Sequence, residues 1–196
     1  MKYRTILMFG APGSGKGTHG RALGGIPNFF HCACGDAFRS LRPETDLGKV
    51  FLKYSSQGHL VPDEPTIKLW RHAVDGSMGA GRFHPDTDTL VLDGIPRNLH
   101  QAIMLKDLLD VVAVFYLTDK RENLVKRMQR RALKDNRLDD ANLDVIRERL
   151  ITYEKETKPV LSFYGKNLVH RISTSGKPVE TFLAILKKVV KIRPAK

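Results

Sequence analysis

The chain has 196 residues, of which 41% are hydrophobic and 28% charged, and its formal net charge is +12. This composition predicts a globular protein with one well-buried core. It excludes a membrane-spanning protein, because no apolar run approaches the thickness of a bilayer. The positive charge leaves two classes of partner open, namely nucleic acids and polyanionic small molecules.

The two cysteines, Cys32 and Cys34, are separated by a single residue. A disulfide over this spacing is strained and a metal site needs more ligands, so we expect free thiols in a reducing compartment. The first residues lead directly into an apolar run and a glycine-rich loop, and cleavage of a signal peptide there would destroy the loop. A cytoplasmic protein is therefore expected.

The first predicted elements are a buried strand at residues 4–10, a glycine-rich loop and a helix at residues 15–23. Further short apolar runs predict strands at residues 89–92, 111–117 and 167–172. Helical patterns separate or follow them at residues 98–109, 120–131, 142–164 and 178–191. Alternating strands and helices predict an α/β fold with a central parallel sheet, whose ligands bind at the carboxyl ends of the strands.

Residues 30–70 do not follow this alternation. They hold short helical patterns at residues 36–41 and 48–56, and we interpret the segment as an inserted helical lobe. Residues 76–88 are rich in Gly, Pro and Asp, which predicts a surface loop.

The glycine-rich loop, residues 10–18 (GAPGSGKGT), matches the Walker A pattern up to its lysine. Glycines allow backbone N–H groups to turn toward an anion, and the following helix adds its N-terminal dipole. The loop therefore predicts a site for the phosphates of ATP, although a strand-to-helix turn without a ligand is the alternative. The residues assigned to it are Gly13, Ser14, Gly15, Lys16, Gly17 and Thr18. Gly17 stands where the general pattern has Ser or Thr.

Five further blocks occur along the chain, and with the loop they cover nearly all of it. They are residues 35–39 (GDAFR), 58–64 (GHLVPDE), 93–97 (DGIPR, followed by Gln101-Ala102), 137–140 (RLDD), and Arg149-Leu150. In order and spacing the chain resembles the adenylate kinases and their nucleoside-monophosphate kinase relatives. The resemblance implies a P-loop NTPase-type three-layer α/β/α fold with a five-stranded parallel sheet. It also implies one domain with a core (1–29, 66–126, 138–196), a helical NMP-binding lobe (30–65) and a short lid (127–137).

The resemblance implies a role for arginines that are dispersed along the chain. Arg39 and Arg97 would hold the acceptor phosphate, while Arg131 and Arg137 would descend from the lid onto the transferring group. Arg149 would complete the cluster, with Arg147 as a competing candidate. Arg127 and Lys177 would line the pocket for the ATP adenine. For any single arginine the alternative is a surface salt bridge, chiefly for Arg127 and Arg131.

The same resemblance implies an AMP site. Its residues would be Cys34, Arg39, His59, Leu60, Val61, Gly94, Arg97, Gln101, Arg137 and Arg149. The side chain of Gln101 can both donate and accept, so it suits the N1/N6 edge of adenine. Cys34 replaces a residue that is commonly threonine in the family, and its thiol is a weaker hydrogen-bonding group.

Asp93 follows a predicted strand and resembles a Walker B aspartate, which would hold Mg²⁺ directly or through water. Asp139 and Asp140 are expected to cap the helix at residues 142–164 and to brace the lid hinge. No cysteine lies between Arg131 and Arg137, so we expect the short-lid form without structural zinc.

Three hypotheses remain at this point. The first is adenylate kinase, a monomeric phosphotransferase for adenine nucleotide homeostasis whose partners are ATP, AMP and ADP rather than nucleic acid or membrane. The second is a UMP/CMP-type kinase, which Gln101 and Asp63-Glu64 disfavour. The third is a nucleic-acid-binding protein with a vestigial P-loop, which predicts aromatic residues among the basic ones, whereas residues 120–137 contain none.

Overall fold

The computed structural model describes residues 2–135, 140 and 142–192. It contains a five-stranded sheet in the order β2-β3-β1-β4-β5, and every neighbouring pair is parallel. The strands are β1 (Tyr3–Gly10), β2 (Phe29–Ala33), β3 (Thr89–Asp93), β4 (Leu109–Thr118) and β5 (Val169–Ser173). The predicted α/β class and the five-stranded parallel sheet are confirmed.

Helices connect the strands and flank the sheet. They are α1 (Lys16–Gly24), α2 (Cys34–Arg39), α3 (Asp46–Ser55), α4 (Asp63–Gly79), α5 (Leu99–Leu105), α6 (Arg121–Asp135), α7 (Leu143–Thr152) and α8 (Pro178–Val189). Among the described residues, no helix is both long and apolar enough to cross a membrane.

Strand β1 lies at the centre of the sheet because its side chains are apolar on both faces. On one face Leu7 packs in a core that includes Trp70 of α4 and Leu105 of α5. On the other face Ile6 packs in a core that includes Leu23 of α1. Helices therefore cover both faces of the sheet, as a three-layer α/β/α fold requires.

The interpretation of residues 30–70 as an inserted helical lobe is wrong at its start. Phe29–Ala33 forms the edge strand β2, which pairs with β3 from Phe29 opposite Thr89 to Ala33 opposite Asp93. The strand is only five residues long and leads directly into α2, so its short aromatic run carries little periodicity. The predicted lobe boundaries of 30–65 stay a prediction, but the first four of those residues belong to the sheet.

Two helical segments differ from the sequence expectation in extent. Helix α4 continues to Gly79 and so occupies the start of the predicted loop at residues 76–88. After α7 the chain winds more widely as a π-helical segment (Tyr153–Thr157) and then more tightly as a 3₁₀ segment (Lys158–Phe163). Pro159 lacks a backbone N–H, so an α-helical ladder cannot pass through it unchanged.

Candidate active site

A cavity of about 220 Å³ opens where β1, β2 and β3 end. Its walls come from the glycine-rich loop, from α2 and the segment before α4, and from the loop after β3. Side chains of α6 and α7 complete it. The carboxyl ends of neighbouring parallel strands thus bring together residues that are far apart in the sequence.

The glycine-rich loop is shaped for an anion. Gly10, Gly13 and Gly15 have φ values of 144°, 81° and 93°, in the region that favours glycine. Helix α1 begins at Lys16, within the last residues of the loop, and in this fully described helix no side-chain cap and no acidic residue occupies the first turn. Its N-terminal dipole and N–H groups therefore have no acidic partner within their own helix turn.

Lys16 lies within this loop. Its Nζ donates to the carbonyl oxygens of Gly10 at 2.8 Å and Ala11 at 3.1 Å. Burial lowers the pKa of Lys16 to about 8, with Asp93 opposing the shift and Arg97, Arg131 and Arg149 adding to it. An anion bound beside Lys16 would raise this pKa again, because a neighbouring negative charge favours the protonated amine.

Three other loop residues differ in their access to the cavity. Thr18 and Gly17 line it, and a Cβ at Gly17 would lie 3.4 Å from Oδ2 of Asp93. Ser14 is fully buried, its backbone N–H donates to the Ala11 carbonyl, and within the described part of the chain its hydroxyl has no hydrogen-bond partner. The absence of a side chain at Gly17 leaves the Asp93 carboxylate, at the end of β3, open to the cavity.

Four of the predicted arginines line the cavity: Arg39, Arg97, Arg131 and Arg149. Two of them come from the side of the helical lobe and the loop after β3. Nη2 of Arg39 donates to Oδ1 of Asp36 at 2.6 Å, and Nε of Arg97 donates to the Gly94 carbonyl at 2.7 Å. The remaining donors of both planar guanidinium groups can bind oxygens of an anion.

The other two arginines are joined by Asp140, whose side chain is fully buried. Nε of Arg131 donates to Oδ2 of Asp140 at 2.7 Å, and Nη1 of Arg149 donates to Oδ1. Helix α7 is capped instead by Asn142, whose side chain accepts from the backbone N–H of Asp144. The expectation that Asp140 caps this helix is therefore wrong, because both of its oxygens are taken by arginines.

Arg147 and Arg149 differ in their positions on α7, and which of them contacts phosphate stays a prediction. Arg149 lines the cavity, whereas the side chain of Arg147 is 65% exposed and pairs with Asp144 at 2.9 Å. Two residues along a helix point in different directions, which accounts for the difference. The predicted residues Arg137 and Asp139 lie outside the described residues, as does part of the predicted lid.

The predicted acceptor-base residues also meet at the cavity: Cys34, His59, Leu60, Val61, Gly94 and Gln101. The two cysteines are free, as expected, and both are buried. Burial raises the pKa of the Cys34 thiol to about 12, so it is neutral at physiological pH. Gln101 is 1% exposed and both ends of its amide are hydrogen-bonded.

Arg127 and Lys177 do not line the cavity, and Arg127 contacts the residues that follow the carboxyl ends of β4 and β5. The guanidinium of Arg127 donates to Oδ2 of Asp119 and to the carbonyl of Thr174, both at 2.6 Å. Its Nη1 also lies 3.5 Å from the Gly13 carbonyl. Lys177 precedes α8, and its backbone N–H donates to Glu180. Their assignment to the ATP adenine stays a prediction.

Sequence reasoning missed several residues that line the cavity. Arg21 of α1 lines it and pairs with Asp36 at 3.2 Å. Arg21 follows Gly17 by four positions, and this helical spacing could have placed it on the same face. Thr157 comes from the π-helical segment, whose wider winding no local sequence pattern indicated.

Comparisons with known proteins agree with this geometry. A family model described as adenylate kinase matches residues 8–169. The chain is 33% identical over 195 residues to an adenylate kinase of Porphyromonas gingivalis, covering 96% of each chain. It is 36% identical to one of Flavobacterium psychrophilum, over 83% of this chain and 85% of the relative. It is 39% identical to one of a Cyanothece species, over 81% and 80%.

Proposed function

Because the chain belongs to the adenylate kinase family, we propose that it transfers the terminal phosphate of MgATP to AMP and forms two molecules of ADP. The observation that carries the proposal is the convergence of Lys16, Asp93, four of the predicted arginines and Gln101 on one cavity. A monomeric state, a cytoplasmic location and the absence of nucleic-acid or membrane partners stay predictions.

The donor phosphates would occupy the glycine-rich loop. Backbone N–H groups of the loop and of the first turn of α1 would bind phosphate oxygens, and the dipole of α1 would favour their charge. Lys16 would exchange its bonds to the carbonyls of Gly10 and Ala11 for the β- and γ-phosphates. Each of these groups already faces the cavity, so little rearrangement would be needed.

The residues at the end of β3 fit a magnesium ion that arrives with the nucleotide. Asp93 gives one carboxylate beside the loop, and Mg²⁺ in phosphotransferases is typically bound by one or two carboxylates together with substrate phosphates and water. Over residues 2–135, 140 and 142–192, no group of three or more His, Cys, Asp or Glu side chains could form an all-protein metal site. Asp93 would hold the ion, and Thr18 is a loop residue with a hydroxyl that lines the same cavity. When bound, Mg²⁺ supplies positive charge to the donor phosphates.

The arginines would supply further positive charge around the transferring phosphoryl group. Phosphoryl transfer needs the two nucleotides in line and positive charge on the transferring group, with little covalent chemistry from the protein. Arg131 and Arg149 reach the cavity from two helices, and Asp140 joins them. These donors would act on charge that develops in the transition state, where preorganised groups have their largest effect.

The acceptor would bind on the side of α2 and the loop after β3. Arg39 and Arg97 would hold its phosphate, and Gln101 would contact its base. Gly94, with a φ of 93°, allows the backbone to pass close to the acceptor phosphate without a side chain in between. Cys34 would lie against the base as a neutral thiol.

A steady-state assay tests this function. Purified protein is given MgATP with AMP, UMP, CMP, GMP or dAMP in turn, and nucleoside diphosphate formation is measured. We expect AMP to have the highest kcat/KM. A preference for UMP or CMP over AMP would replace the proposal with the pyrimidine alternative. Absence of turnover with every acceptor would exclude kinase activity altogether.

A further inference from the structure

The side chain of Asp63 links the start of α4 to the start of α5. Its Oδ1 accepts from Nδ2 of Asn98 and from Nε2 of Gln101, both at 2.8 Å. Its Oδ2 lies 2.8 Å from Nδ1 of His100. Three side chains of the segment after β3 therefore converge on one carboxylate that belongs to another helix.

The amide of Gln101 is held at both ends. While Nε2 donates to Asp63, Oε1 accepts from the backbone N–H of Arg97 at 2.8 Å. An ionised carboxylate can only accept and a backbone N–H can only donate, so both contacts demand the same orientation of the amide. One N–H and one oxygen lone pair of Gln101 remain for a ligand in the cavity.

This arrangement matters because a glutamine amide is nearly symmetric in shape. Adenine has a donor at N6 and an acceptor at N1, whereas hypoxanthine and guanine have an acceptor at O6 and a donor at N1. A freely rotating amide would suit both patterns by exchanging its oxygen and nitrogen. An amide fixed in one orientation matches only one of them.

We propose that Asp63 is a positioning residue for the acceptor base, because its carboxylate fixes the Gln101 amide in the orientation that accepts a 6-aminopurine and rejects a 6-oxopurine. The inference deepens the proposed function and rests on its assignment of Gln101 to the base of AMP. With the amide fixed, a 6-oxopurine would place its N1 donor against the amide donor and its O6 acceptor against the amide oxygen. Buried polar groups left unpaired in this way discriminate strongly against the mismatched base.

The surroundings of Asp63 favour the ionised carboxylate that this role needs. Burial alone would raise the pKa of Asp63, but hydrogen bonds from His100, Asn98 and Gln101 outweigh that effect and hold the pKa below its usual value. Asp63 also opens α4, where the helix dipole favours a negative charge. Both effects keep the carboxylate an acceptor at neutral pH.

The test compares kcat/KM for AMP with kcat/KM for IMP, whose base is hypoxanthine. In Asp63→Ala, water can take the place of the carboxylate and can either donate or accept, so only the Arg97 backbone N–H still holds the amide in one orientation. The AMP-to-IMP ratio should therefore fall about tenfold. Asp63→Ser is a second variant with the same expected fall, because a hydroxyl also donates and accepts. His100→Ala is the matched control, since this 66% exposed side chain contacts the same carboxylate but not the amide. It should keep the ratio within about threefold of the parent.

The outcomes separate this inference from the proposed function. If Asp63→Ala and Asp63→Ser lower kcat/KM for AMP and IMP equally, Asp63 only joins two helices and the inference is wrong. The variant Gln101→Ala tests the assignment of Gln101 to the acceptor base, on which the inference rests. If Gln101→Ala keeps the AMP-to-IMP ratio of the parent, Gln101 does not discriminate between the bases, and both the assignment and the inference are wrong. If only Gln101→Ala lowers the ratio, the assignment stands and the inference alone is overturned.

Discussion

Nε of Arg131 on α6 donates to Oδ2 of Asp140 at 2.7 Å, and this carboxylate is fully buried. The other oxygen of Asp140 accepts from Arg149 on α7. One carboxylate therefore fixes two guanidinium groups that reach the cavity from different helices. The two arginines are therefore preorganised, because Asp140 already holds both guanidinium groups near the cavity before substrate binds.

Replacing Asp140 by Asn should weaken this arrangement while nearly preserving its shape. We expect kcat to fall about tenfold or more, because the two arginines lose their shared anionic acceptor and sample other orientations. The free energy of unfolding should fall by about 1–3 kcal/mol, as is typical for lost hydrogen bonds to a charged group. Steady-state kinetics and urea unfolding measure the two effects. An unchanged kcat together with an unchanged unfolding midpoint would show that Asp140 does not order the cluster.

Arg97→Ala should lower turnover at least about a hundredfold, since it removes a donor from the proposed acceptor-phosphate site. Among the described residues, the side chain of Arg97 bonds to the nearby Gly94 carbonyl and not to a distant element, so the fold should survive the change. The measurement is kcat with MgATP and AMP, with circular dichroism as the check on folding. Near-normal turnover in a folded variant would refute the assignment.

Two arginines of α7 give a matched pair of variants. Arg149→Ala should lower kcat/KM at least about tenfold, because Arg149 lines the cavity and contacts Asp140. Arg147→Ala removes the same charge from the same helix, but its partner is the exposed Asp144, so kcat/KM should change less than about twofold. Steady-state kinetics on both variants make the comparison. Equal losses would mean that the net charge of α7, rather than the position of Arg149, governs activity.

Activity should depend on the charge of Lys16. Because the pKa of Lys16 is lowered to about 8 in the free protein, the protonated fraction falls as pH rises through that value. We expect kcat/KM for MgATP to decline above about pH 8, and kcat to stay flat to higher pH because bound phosphates stabilise the charged amine. Lys16→Arg, which stays charged throughout, should be slower but without this decline. A decline that persists in Lys16→Arg would assign it to another group.

The two thiols should be chemically inert in the folded protein. Burial raises the pKa of both Cys32 and Cys34 to about 12, and the thiolate is the reactive form. At pH 7.5 we expect iodoacetamide to modify the native chain at least about a hundredfold more slowly than the urea-unfolded chain. Mass spectrometry after timed quenching measures both rates. Rapid modification of the native chain would show that the site around Cys34 opens readily.

The sequence was sufficient for features that are encoded by contiguous residues. The glycines and Lys16 of residues 10–18 specify the phosphate loop locally, because positive φ values and a helix start depend on neighbouring residues. The alternation of apolar runs and helical patterns was also sufficient for the α/β class. The edge strand Phe29–Ala33 was missed, because five residues are too few for periodicity to separate a strand from its surroundings.

Tertiary structure alone decided how distant side chains pair. The sequence marked Asp63 and Gln101 as separate features 38 positions apart, and only the packing of α4 beside α5 brings the carboxylate to the amide. In the same way, the sequence indicated a helix cap at Asp140, whereas the fold makes it the shared partner of Arg131 and Arg149. Backbone conformation follows from local sterics and hydrogen bonding, so the sequence determined the glycine-rich loop. The partner of a charged side chain depends on which groups the whole fold buries beside it, so the arrangement of the arginines and of Gln101 became visible only in the structure.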